Sequence, residues 1–212
     1  MIEATEFAAK SVRGLLNQPE TPTGEGLVLT HGAGGNARAP LLAAVAEAFA
    51  ASGMWVLRCE LPFRQRRPHG PPGPAEAAGD RENLRQAVNE VRAIAPGRVF
   101  LGGHSYGGRQ ATMLAAEEPQ SVDGLLLFSY PLHPPKKPTV LRIAHFADLQ
   151  TPALFVHGSR DEFGSVEEMT AALRLLPGPA ALIVIEKAGH DLRRGKFDIE
   201  GIVVERFREF RI

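Results

Sequence analysis

The chain has 212 residues, 44% of them hydrophobic, and 24 basic against 24 acidic side chains give a formal net charge of +0. That length and apolar content suffice for a single α/β domain with its own core. The charge balance argues against whole-surface attraction to nucleic acid or anionic membrane, and the lone cysteine, Cys59, excludes an intrachain disulfide and a cysteine-based zinc site. Glu3, Glu6, Lys10 and Arg13 interrupt the apolar residues of Met1 to Leu16, so a signal-peptide core is not expected there. No stretch approaches the ~20 apolar residues of a membrane span, and a cytoplasmic location is expected.

Short apolar runs alternate with segments of helical period, which is the pattern of βαβ units and a mostly parallel sheet. Glu3 to Leu16 reads as one or two edge strands or a loop. Gly26 to His31 is the first central strand, and Pro40 to Ser52 the first helix, with Asn36 or Arg38 near its start and Gly53 just past its end. Met54 to Leu61 is a strand followed by Pro62 to Pro74, a loop with five prolines and three arginines. A helix is expected from about Ala75 to Ala95, a strand over Arg98 to His104, a helix over Tyr106 to Glu118 and a strand over Val122 to Tyr130. His133 to Thr151 is a long connection with a short helix expected around Val140 to Leu149. The strand Ala153 to His157, the helix Ser165 to Leu176, the strand Ala181 to Glu186 and the helix Ile199 to Phe210 complete the chain. No internal repeat is apparent.

The sharpest chemical signal is Gly102-Gly103-His104-Ser105-Tyr106-Gly107-Gly108, because a Gly-x-Ser-x-Gly falls where a strand turns into a helix. There a serine occupies a strained backbone position, and glycines two residues away on either side let neighbouring chain approach. The competing reading is a glycine-rich turn that only packs tightly. A serine hydroxyl needs a base and an orienting acid, and in this arrangement they follow in the order serine, acid, histidine. Asp161, just past the strand Ala153 to His157, and His190, just past Ala181 to Glu186, have that order and lie at the carboxyl ends of parallel strands. Asp191 reads as a cap or surface residue. His104 reads as a satisfied core histidine, His31 and His157 as packing or tethering residues, and His69, His133 and His145 as peripheral. Donors to an oxyanion are expected from the N–H of Tyr106 and, in the His31-Gly32-Ala33-Gly34-Gly35 loop, of Ala33 or Gly34. That loop lacks both Gly-x-Gly-x-x-Gly and Gly-Lys-Ser/Thr, which weighs against a phosphate-binding role.

With these residues the chain resembles the α/β-hydrolase superfamily, and within it the small cap-less dienelactone-hydrolase-like group. The likeness runs from about Gly26 to Leu192 and includes the His-Gly-Ala-Gly-Gly loop, the elbow, Tyr130-Pro131-Leu132-His133-Pro134-Pro135 and Asp161-Glu162-Phe163-Gly164. It implies a sheet of about seven or eight strands with helices on both faces and hydrolysis of an ester or related acyl bond. Dienelactone hydrolases use a cysteine nucleophile where this chain has Ser105, so their substrate does not carry over.

The expected activity is hydrolysis of a carboxylic ester or thioester on a small-molecule substrate, with no metal and no organic cofactor. A non-catalytic binding or scaffold module on the same fold is the alternative. The connection His133 to Thr151 is too short for a lid with its own core, so an open site and short, soluble acyl esters are expected. Arg64, Arg66 and Arg67 are candidates to recognise an anionic group on the substrate, against the plainer reading that they pair with surface acids such as Glu76 or Asp80.

Overall fold

The computed structural model describes residues 3–192 and 197–210. Strands β1 (Ala4–Ala9) and β2 (Val12–Asn17) form an antiparallel hairpin in which β1 is the edge strand and β2 lies inside it, paired on its other side with the strand Trp55–Cys59. β3 (Gly26–Thr30) leads to helix α1 (Pro40–Ala51), and β4 (Trp55–Cys59) to a short helix α2 (Pro62–Arg66) and then α3 (Ala77–Ile94). β5 (Val99–His104) enters α4 (Tyr106–Glu117), followed by β6 (Gly124–Phe128), β7 (Ala153–Gly158), α5 (Val166–Leu173), β8 (Ala180–Ile185) and α6 (Ile199–Phe210). The eight strands lie in the order β1-β2-β4-β3-β5-β6-β7-β8, with β1 and β2 antiparallel to their neighbours and the rest parallel.

Two differences from the sequence reading have local causes. Pro62, expected in a loop, occupies the first turn of α2, where its fixed φ suits a helix and its missing N–H costs nothing. The helix expected around Val140 to Leu149 is reduced to a 3-10 turn at Phe146–Asp148. Val140 and Leu141 are exposed there, so that stretch buries no continuous apolar face that would hold a longer helix.

The sheet is buried on both faces, which is why its central strands are nearly continuous apolar runs, with the polar Thr30 and His157 only at carboxyl ends. The period-two alternation divides them. Leu27, Phe100, Leu126, Phe128, Leu154 and Val156 meet α1 and α6 on one face, while Val28, Leu101, Leu125, Leu127 and Phe155 meet α3, α4 and α5 on the other. Phe207 of α6 locks the first layer by meeting Phe49 of α1 at 5.1 Å and Phe100 of β5 at 4.9 Å, both edge to face. Such pairs are worth about 0.5–1.5 kcal/mol beyond their burial. Among the described residues no helix is long and apolar enough to cross a membrane.

Chain order reverses at β3, which pairs in parallel with β4 on one side and β5 on the other. The loops leaving β3 and β5 therefore diverge to opposite faces and open a crevice at the carboxyl edge of the sheet. The loops after β7 and β8 emerge on that same edge.

Candidate active site

Ser105 stands between β5 and α4 with φ 51° and ψ −115°, a conformation that L residues rarely adopt. Its N–H donates to Phe128 O of the neighbouring strand at 2.8 Å, and Arg109 N–H donates to Ser105 O at 3.0 Å to begin the helix. These bonds hold the strained residue from both sides. The flanking glycines are required by contact: a Cβ on Gly103 would lie 2.6 Å from Thr30 O, and one on Gly107 2.6 Å from His31 O. β3 and β5 can approach at the elbow only because both side chains are missing.

Three strand ends bring Ser105, Asp161 and His190 together. The Ser105 hydroxyl is 2.8 Å from His190 Nε2, and His190 Nδ1 is 2.9 and 3.0 Å from the two carboxylate oxygens of Asp161. With Nδ1–H donating to the carboxylate, Nε2 is left as the acceptor that faces the serine proton. The Asp161 side chain is fully buried and also accepts from Phe163 N–H at 2.9 Å, so the acid is fixed by its own loop. Phe163 stacks on the His190 ring with centroids 4.0 Å apart. His104 Nε2–H donates to His190 O at 2.8 Å, and burial holds the His104 imidazole neutral, with its pKa lowered to about 4. His104 thus supports the histidine loop, a connection its placement beside the nucleophile did not disclose.

The remaining histidines make no hydrogen bond to Ser105, Asp161 or His190, although His157 Nδ1 lies 3.7 Å from an Asp161 carboxylate oxygen. His31 Nδ1–H donates to Gly32 O at 2.9 Å and His31 Nε2 accepts from Leu61 N–H at 3.1 Å, tying the loop after β3 to the end of β4. His157 Nε2–H donates to Gly164 O at 2.7 Å and closes the Asp161 loop. His69 and Asp191 are exposed, while His133 and His145 contact Glu168 and Thr112.

The N–H groups of Ala33, Gly34 and Tyr106 have no hydrogen-bond acceptor among the described residues. Tyr106 opens α4, so its N–H also carries the positive end of the helix dipole. All three residues line one cavity of about 780 Å³ together with Ser105 and His190. Leu41, Leu42, Pro131 and Phe163 contribute apolar wall. Among the described residues no cluster of His, Cys, Asp or Glu has the makings of a metal site.

The arginines of the proline-rich segment lie differently from a substrate-binding trio. Arg64 is 8% exposed, and its guanidinium donates to four carbonyls: Ala33 O at 2.7 Å, Gly35 O at 2.9 Å, Gly70 O at 3.1 Å and Arg67 O at 3.2 Å. It clamps the loop that carries Ala33 and Gly34. Arg66 and Arg67 both pair with Glu76, at 2.6 and 2.7 Å, the plainer alternative for these two residues. Those pairs and the Gly73 N–H hold the Glu76 carboxyl well below its ordinary range, at about 2. Beneath the clamp, Phe63 touches the rings of His31 and Tyr106, so α2 braces the loop after β3 against the elbow. The Tyr106 hydroxyl donates in turn to the buried Asp80 at 2.7 Å. Two arginines that sequence reading did not single out, Arg109 and Arg142, line the cavity instead. Arg109 follows Ser105 by four residues in a helix, a spacing that places it on the nucleophile's face; Arg142, in irregular chain, carries no such signal.

A family model described as "Alpha/beta hydrolase domain" matches residues 23–200. Among solved structures, the chain is similar to TT1662 from Thermus thermophilus, with 24% identity and a TM-score of 0.76 over 99% of this chain and 97% of that one. It is similar to XC6422 from Xanthomonas campestris, described as an α/β serine hydrolase without lid, with 20% identity and a TM-score of 0.76 over 98% and 94%. A dienelactone hydrolase from Anabaena variabilis matches with 21% identity and a TM-score of 0.73 over 98% and 96%. Fold, strand order and a match across most of the length place this chain in the alpha/beta hydrolase family.

Proposed function

We propose that the protein is a serine hydrolase that cleaves a carboxylic ester or thioester through an acyl-Ser105 intermediate. The observation that carries this reading is the unbroken chain of contacts from Ser105 Oγ through His190 to the buried Asp161. His190 Nε2 takes the serine proton as Oγ bonds to the acyl carbon, and the carbonyl electrons move onto oxygen. The N–H of Tyr106 and those of Ala33 or Gly34 are the donors for that oxyanion, each worth several kcal/mol in such sites. His190 then protonates the leaving oxygen or sulfur. A water molecule, deprotonated by the same nitrogen, attacks the acyl-enzyme and restores the serine. Asp161 keeps the imidazole in the required tautomer and stabilises its charged form throughout.

The connection between β6 and β7 supports an open site, since its described secondary structure is one 3-10 turn. Short, soluble acyl esters are the substrates this favours. Purified protein is expected to hydrolyse p-nitrophenyl acetate and butyrate, with an initial burst if deacylation limits turnover, and Ser105→Ala is expected to fall to background. Equal turnover by Ser105→Ala, or none by the wild type across esters and thioesters of graded length, overturns the reading.

A further inference from the structure

Most arginines near the carboxyl edge of the sheet are neutralised or used by the protein. Arg66 and Arg67 share Glu76, Arg81 meets Glu117, and Arg64 is spent on carbonyl groups. Arg109 and Arg142 differ. Both line the cavity that holds Ser105, and neither makes an ion pair with a described carboxylate. Arg109 lies one helical turn beyond the nucleophile, and its side chain reaches the Tyr130 hydroxyl but no carboxylate among the described residues. Arg142 is fixed by its backbone: its N–H donates to Leu132 O at 2.8 Å, and its carbonyl accepts from the Tyr130 hydroxyl at 2.6 Å. Its guanidinium makes no hydrogen bond or ion pair with the described residues.

The two cations also act on one another. Burial and the neighbouring Arg109 both push the Arg142 pKa down, and the charge of Arg109 helps to lower that of His145. Two like charges lining one partly desolvated cavity without a counter-ion form an arrangement that an anion relieves. Asp191 is the carboxylate among the lining residues, but it belongs to the histidine loop and is not among the charges acting on Arg142. The planar forks of two arginines suit the two oxygens of a carboxylate.

We propose that Arg109 and Arg142 form a carboxylate-binding subsite, and that the substrate is an acyl ester or thioester carrying a carboxylate remote from the scissile carbonyl. This rests on Ser105 being the nucleophile, which sets the reacting end of the cavity. The acyl carbon sits at Ser105 and the remote carboxylate between the two guanidinium groups. A neutral acyl ester of equal length leaves both arginines without a counter-ion and is the poorer substrate.

The test compares monoethyl succinate, glutarate and adipate with neutral ethyl esters of the same acyl length, in wild type, Arg109→Gln and Arg142→Gln. The readout is the ratio of kcat/KM for the carboxylate ester to that for its neutral partner. The wild type is expected to favour the carboxylate ester by about tenfold to a hundredfold at its best length, and either substitution to bring the ratio down by about tenfold or more. Arg142→Lys, which keeps the charge without the fork, is expected to fall between. Circular dichroism checks folding; if Arg109→Gln misfolds, Arg142→Gln carries the comparison. A wild-type ratio of one or less, or a ratio unchanged in the variants, overturns the subsite while leaving Ser105 catalysis standing. If the wild type hydrolyses neither series, the catalytic reading fails, and thermal stabilisation by glutarate or adipate decides the subsite separately. A shift that disappears in Arg142→Gln supports it, and no shift overturns it.

Discussion

Replacing Arg64 by methionine removes the clamp on the loop after β3, and with it the guanidinium over the Phe63 ring, while keeping most of the apolar stem. Two of the four carbonyls it holds, Ala33 O and Gly35 O, flank the N–H groups assigned to the oxyanion. Hydrogen bonds from a charged donor contribute about 1.5–3 kcal/mol each, but these carbonyls border an open cavity and can be hydrated once released. A net loss of about 2 kcal/mol in holding the loop is the reasonable figure, roughly thirtyfold in its ordering equilibrium. Losing one oxyanion donor outright costs about a hundredfold to a thousandfold in kcat, which bounds the effect from above. Arg64→Met is therefore expected to lower kcat by about tenfold to a hundredfold with little change in KM, and to speed hydrogen exchange at residues 32–35. Because Arg64 is a positioning residue, the loss should be equal for neutral and carboxylate-bearing esters. An undiminished kcat in folded Arg64→Met, or a loss confined to the carboxylate ester, refutes the clamp.

Asp161→Asn should fold and retain binding but lose about a thousandfold to ten-thousandfold in kcat, read from steady-state ester hydrolysis, because the amide no longer fixes the imidazole tautomer. Burial lowers the His104 pKa from 6.5 to about 4, so the unfolded chain binds more protons between those values. Stability is accordingly full above about pH 6.5 and falls as pH drops towards about 4, by on the order of 1–3 kcal/mol for this residue. His145, lowered to about 4 by burial and Arg109, adds in the same window, so His104→Gln should flatten urea-denaturation stability against pH without abolishing its slope. Cys59 is fully buried and its thiol is pushed up to about 12, so native protein should not react with an aromatic disulfide reagent until denaturant is added. Turnover of short acyl esters should show no jump at the micelle threshold of longer ones, measured by rate against ester concentration.

The central sheet was readable because buried parallel strands are continuous apolar runs, and Gly26–Thr30 or Ala153–Gly158 cannot be mistaken for amphipathic surface. The edge hairpin was not, since Ala4–Ala9 has no fully buried residue and no clean alternation, and owes its conformation to pairing with β2. At the site, Ser105, Asp161 and His190 each follow a strand, so chain order and strand direction bring them to one edge. The function of Arg64 was hidden, because arginine in a proline-rich stretch looks the same whether it faces solvent or carbonyl groups 31 residues away. The Arg109 and Arg142 pair depends on a tertiary meeting of α4 with the chain after β6, and no local pattern encodes that. The contact of Phe163 with His190 likewise joins two loops distant in sequence.

The central claim is that Ser105 is a nucleophile activated by His190. Its most direct measurement is covalent trapping with a fluorophosphonate, followed by intact-mass and peptide mass spectrometry. One phosphonyl group per chain, located on the peptide containing Ser105, absent in Ser105→Ala and strongly slowed in His190→Ala, is the predicted result. Absence of labelling in folded wild-type protein, or labelling that persists in Ser105→Ala, would contradict it.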